Sequence, residues 1–159
     1  MKNKYILDAT CGGRMMWYQK KHPNTLYIDQ RSKPKGFMKV RKNFSVEPDI
    51  QADFREMPFK DNQFHLVVFD PPHTIRKVAE GGVIAERYGR LLLESWQEDL
   101  ALGFTECWRV LKPKGTLLFK WNECDKAIED IEPFYPGPPL FGNRMGKNNK
   151  TIWVCFMKI

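Results

Sequence analysis

The sequence predicts an α/β fold built on a mostly parallel sheet, and three stretches predict it. In Phe64-His-Leu-Val-Val-Phe-Asp-Pro-Pro-His73 the run Leu66 to Phe69 is β-branched and aromatic without a polar break. That is the pattern of a strand buried on both faces. Near the start, Tyr5-Ile-Leu enters Asp8-Ala-Thr-Cys-Gly-Gly-Arg14, a strand running into a glycine turn. Thr25-Leu-Tyr-Ile-Asp29 then ends in a second acid, about twenty residues after the first, the spacing at which nucleotide-binding βαβ units place a carboxylate on ribose hydroxyls.

Taken in order, the first strand and its turn lead into Met15, Met16, Tyr18 and Gln19, read as a helix. Glycines let the backbone approach a ligand, and the following amides are free donors. Asp29 suits a diol because a carboxylate accepts two charge-assisted hydrogen bonds. Residues 31–48 carry Arg31, Lys33, Lys35, Lys39, Arg41 and Lys42, interleaved with Phe37, Met38 and Phe44. This basic loop is either a solvated face or a phosphate-contacting arm. Asp49-Ile-Gln-Ala-Asp53 gives a third strand end with a third acid.

The central strand stops at Asp70 because Pro71 and Pro72 cannot donate to a ladder. In open α/β sheets chemistry gathers at the carboxyl ends of strands, so an acid followed by two rigid prolines there is a candidate active site. Thr74 to Arg90 forms a long connection with Gly81, Gly82 and Gly89 where a closing loop could hinge. From Leu91 a helical period places Trp96, Leu100, Phe104, Cys107, Trp108 and Leu111 on one stripe, closed by Leu111-Lys-Pro-Lys-Gly115. Lys120 and Glu123 fall at the active end of the strand that follows. Cys124 to Ile131 is read as a short helix, residues 142–150 as a basic turn, and Thr151 to Ile159 as a last strand.

Composition sets the bounds. The 159 residues suit one domain. A net charge of +7 and a pI near 9.3 suggest an anionic partner. Cys11, Cys107, Cys124 and Cys155 have neither zinc-site nor paired spacing, so no metal is expected and reduced thiols are the simplest reading. The N-terminal apolar run is too short for a signal peptide and no segment approaches a membrane span, which predicts a cytoplasmic protein.

Asp70-Pro71-Pro72-His73 resembles the Asp-Pro-Pro-Tyr tetrapeptide of class I S-adenosylmethionine (SAM) dependent methyltransferases that act on exocyclic or amide nitrogens. Trp108-Arg-Val-Leu-Lys-Pro-Lys-Gly-Thr-Leu-Leu-Phe119 is similar to the segment before that family's fifth strand, and the acids follow in the family's order over nearly the whole chain. A dinucleotide-binding Rossmann domain fits less well, since the first turn lacks the full Gly-x-Gly-x-x-Gly pattern. The resemblance implies a Rossmann-like, mostly parallel seven-stranded sheet with an antiparallel last strand and helices on both faces. It implies a SAM site formed by Asp8, Cys11, Gly12, Gly13, Asp29, Gln30, Asp53, Phe54 and Asp70, with Asp53 near the adenine.

The catalytic group implied is Asp70, Pro71, Pro72 and His73, acting on a nucleobase amine in DNA or RNA, adenine N6 first. A small-molecule or protein-amide methyltransferase and a non-catalytic SAM-binding or nucleic-acid-binding module are the alternatives. The chain departs from the family twice. Arg14 stands at the third glycine position, where it could pair with the cofactor's carboxylate or reach toward a phosphate, and His73 replaces the stacking tyrosine. With no separate target-recognition domain expected, nucleic-acid contacts fall to the basic loops 31–42 and 144–150, or to a homodimer or partner subunit.

Overall fold

The computed structural model describes residues 3–77 and 82–159. Gly81, one of the expected hinge glycines, and the first two residues lie outside that part. The elements are β1 (Ile6–Asp8), β2 (Thr25–Asp29), β3 (Ile50–Gln51), β4 (Phe64–Phe69), β5 (Ile75–Arg76), α1 (Val83–Tyr88), β6 (Leu91–Leu92), α2 (Trp96–Val110), β7 (Leu111–Asn122), β8 (Phe141–Met145) and β9 (Thr151–Met157). Seven strands form one sheet in the order β3-β2-β1-β4-β7-β9-β8. The pairs from β3 across to β7 are parallel, and β9 is antiparallel to both of its neighbours. This is the expected sheet, with β7 in fifth place. Strands β5 and β6 pair separately with each other.

Register sorts the side chains between the faces. Phe69 pairs with Phe119, and Phe119 with Val154, so all three point to one side. There α2 lays Phe104 against Phe69 and Phe119, with ring centroids 5.3 and 4.8 Å apart, and Tyr135 closes on Phe156 at 4.9 Å. Such contacts add to the area each ring buries. The helix begins at Trp96 rather than Leu91, because Leu91 and Leu92 are taken by the β5 pairing. Helix α2 ends at Val110, at the expected stop, and the Lys112–Gly115 stretch that follows is a bulge inside β7, where the register with β4 jumps from Phe64↔Leu111 to Leu66↔Thr116. The Lys158 ammonium donates to the Trp108 and Leu111 carbonyls at 2.7 Å each, placing a cation at the carbonyl end of α2.

The opposite face corrects one expectation. Helices were expected on both faces, but over β1 and β2 that face is closed by turns among the described residues. Residues Met15 to Gln19 form no helix. Arg14 adopts φ 55°, and the Arg14 and Trp17 amides reach back three residues to the Cys11 and Arg14 carbonyls at 2.7 and 3.2 Å. Trp17 is drawn down onto the sheet, its indole N–H donating to Asp8 at 2.7 Å and its ring 5.2 Å from that of Tyr27. These tertiary contacts outweigh a weak local helix preference. The basic loop is likewise non-helical, pinned by the Lys33↔Val46 bridge and by fully buried Met38 and Val46. The Cys124–Ile131 stretch holds only a 3₁₀ turn at Ile128–Asp130. No described helix is long and apolar enough to cross a membrane.

Candidate functional site

At the carboxyl ends of β1, β2 and β4 an open cavity of about 490 Å³ is lined by Ala9, Thr10, Asp29, Gln30, Arg31, Phe54, Asp70 and Pro72, and on its outer side by residues of the α1 segment between Gly82 and Leu92. The volume suits a small molecule. Of the expected residues, Asp29, Gln30, Phe54, Asp70 and Pro72 meet there.

Asp29 is nearly buried, and its carboxylate is held from two sides. The Gly12 amide donates to Oδ2 at 2.9 Å, and the Arg31 amide and Nε donate to Oδ1 at 2.9 and 3.3 Å. The glycine turn thus orients this acid, while Ala9 and Thr10, not the glycines, line the cavity. Arg31 reaches further: its Nη1 donates to the Glu86 and Arg87 carbonyls at 3.2 and 3.3 Å. The cation read as part of a basic loop therefore ties the acid to the outer wall.

Asp70 sits one residue past Phe69, and Lys120 one past Phe119; because those phenylalanines pair in register, acid and cation meet. Lys120 Nζ donates to Asp70 Oδ2 at 2.9 Å, and the Asp70 amide donates to Thr10 Oγ1 at 2.8 Å. Burial pushes the Asp70 carboxyl up, opposed by the Lys120 ammonium. Pro71 is buried, and Pro72 beside it lines the cavity. His73 is half-buried, its pKa lowered by burial, and its ring lies 5.9 Å from that of Tyr88, which does line the cavity. Topology alone puts Lys120 at the strand's active end, and the register pairs it with Asp70. Glu123 turns away, holding Arg144 at 2.7 Å.

The remaining expected residues do not line this cavity. Asp53 is gripped by Arg55 at 2.6 Å, which holds its carboxyl below the usual range, and Arg55 bridges on to Asp99 at 2.8 Å. Cys11 is buried, with its thiol pushed up by burial. Gly12 and Gly13 line a second cavity, and a Cβ on Gly13 would stand 2.3 Å from the Phe44 ring. Arg14 points the same way, its guanidinium 3.8 Å over the Tyr27 ring and bonded to the Lys20 and Glu47 carbonyls, so it does not reach toward Asp29.

Asp8 lies beneath the floor, fully buried, with its carboxyl pushed up to about 7 by burial. A raised folded-state pKa gives stability that is present below the ordinary 3.8 and is lost as pH rises through about 7. Asp8→Asn keeps an acceptor for the Trp17 indole and removes the titration. Its melting temperature should therefore gain on the parent's between pH 4 and 7 and hold that gain above. A difference independent of pH would contradict this placement of Asp8.

No family model matches the chain, and no curated protein is similar to it in sequence. Solved structures share its fold. The PH0226 protein from Pyrococcus horikoshii OT3 superposes with a TM-score of 0.63 at 15% identity, covering 97% of this chain and 81% of that one. A SAM-dependent methyltransferase from Methanosarcina mazei gives 0.55 at 10% identity, covering 100% and 94%. Geranyl diphosphate C-methyltransferase from Streptomyces coelicolor A3(2), in complex with Mg²⁺, geranyl diphosphate and S-adenosyl-L-homocysteine, gives 0.59 at 9% identity, covering 98% and 71%. The chain has the class I methyltransferase fold.

Proposed function

We propose that the chain is a SAM-dependent methyltransferase that modifies an exocyclic amine of a nucleobase, adenine N6 being the first candidate. The observation that supports it most is a single cavity, in this fold, that joins Asp29 at the end of β2 to the Lys120-held Asp70 at the end of β4. The residues fit the cofactor: Asp29 offers a fixed carboxylate to a ribose diol, and Ala9, Phe54 and Leu92 supply apolar wall. Bound there, SAM supplies an electrophilic methyl group on a good leaving group.

What remains for the chain is to orient the acceptor. An aromatic amine is a poor nucleophile because its lone pair is delocalised into the ring. The Asp70 carboxylate and the Pro71 carbonyl would accept its hydrogens and localise that pair. Lys120 occupies Oδ2 and fixes the carboxylate plane, leaving Oδ1 to the amine. His73 and Tyr88 offer flat rings beside Pro72 for a base drawn out of its stack.

Transfer of labelled methyl from SAM to separate DNA, RNA, protein and small-molecule fractions tests this. The expected label lies in nucleic acid and is released on digestion as an N-methylated nucleoside. Label confined to protein or small molecules would overturn the nucleobase assignment, and no transfer to any fraction would overturn the enzyme.

A further inference from the structure

The turns that replace the expected first helix leave a second cavity, of about 770 Å³, on the other side of the Gly12–Gly13 turn. Five cations, Lys4, Arg14, Lys20, Lys21 and Lys35, face two carboxylates, Glu47 and Asp49. Two of the cations are committed to the fold. Lys4 and Arg14 pair with Asp49 at 3.6 and 3.2 Å, and Arg14 also lies over Tyr27. The ammonium groups of Lys20, Lys21 and Lys35 have no partner among the described residues, and all three side chains are exposed. Tyr18, on the same turns, is fully exposed, and Phe44 is half-exposed at the cavity wall. Unpaired cations along a groove, with the Phe44 ring at its wall and an exposed Tyr18 two residues before Lys20, suit a phosphodiester strand whose bases stack.

We infer that this cleft binds the backbone of a single-stranded nucleic acid, with Lys20, Lys21 and Lys35 on phosphates and Tyr18 as a stacking platform. The inference rests on the nucleobase reading and gives its substrate a path over the chain. It keeps Lys35 of the expected 31–42 loop and adds Lys20 and Lys21, which lie outside both expected basic loops. Most cations of the 31–42 loop lie outside the cleft, and Arg144 of the 144–150 hairpin is held by Glu123.

The test is anisotropy of a fluorescent single-stranded 12-mer, with the parent and three variants titrated between 50 and 200 mM salt. The combined Lys20→Glu, Lys21→Glu, Lys35→Glu variant should bind at least tenfold more weakly and lose about 2 units of salt slope. The matching glutamine variant should lose the slope with a smaller loss of affinity. Tyr18→Ala should weaken binding several-fold and keep the parent's slope. SAM affinity should be unchanged in all three. A charge variant with the parent's slope overturns the cleft while leaving the nucleobase reading standing, whereas a parent that binds no oligonucleotide overturns both. Parent affinity for inorganic pyrophosphate equal to that for the 12-mer would overturn the strand in favour of a small anion.

Discussion

Asp70→Asn should leave SAM affinity within about twofold of the parent's and lower the methyl-transfer rate by about two orders of magnitude or more, on the order of 3 kcal/mol of transition-state stabilisation. Asparagine has the shape of the acid and keeps a neutral acceptor, so the Thr10 contact to the Asp70 amide and the strand end survive. The charge that accepts the amine's hydrogen as nitrogen becomes positive is lost. Burial raises the Asp70 carboxyl, so the parent's rate should rise with pH along an acid limb shifted above that of an ordinary carboxylate. The variant should lack that limb. Single-turnover transfer measured beside thermal unfolding separates the readings: a destabilised variant with full activity per folded molecule would make Asp70 a strand terminator.

Phe104→Ala should cost about 3 to 5 kcal/mol of stability, the usual loss for truncating a fully packed aromatic. The ring is 1% exposed and meets Phe69, Phe119 and Tyr135 at centroid distances of 5.3, 4.8 and 5.6 Å. It packs α2 against Phe69 and Phe119, the residues that precede Asp70 and Lys120. The neighbouring Gly103 lets the helix approach; a Cβ there would stand 2.6 Å from Phe69 and 2.8 Å from Phe54, which lines the cavity. Urea unfolding should show a lower midpoint with a similar m-value. A loss below about 1 kcal/mol would mean that α2 does not pack on the sheet through this ring.

The strands that build the site are legible in the sequence because they are short apolar runs that end in acids. Leu66 to Phe69 and Thr25 to Ile28 read directly as buried strands, and their terminal acids, Asp70 and Asp29, line the same cavity. The turns over β1 are not legible, since Met15, Met16 and Gln19 mimic helical spacing while a buried acid and a tyrosine ring capture Trp17. Arg31 looks like one cation among six, because the carbonyls it holds come from α1, fifty-five residues further along. The Lys120–Asp70 pair was within reach of sequence reasoning: both residues follow phenylalanines at the ends of apolar runs, and only the parallel register was missing.

Calorimetric titration of SAM into the parent and into Asp29→Ala decides whether the cofactor occupies the cavity that Asp29 lines. The parent should bind, and the variant, folded by the same thermal criterion, should lose about 1.5 to 3 kcal/mol, roughly 10- to 150-fold in affinity, the size of lost charged hydrogen bonds. Equal affinity in the two proteins would place SAM elsewhere and contradict the site described.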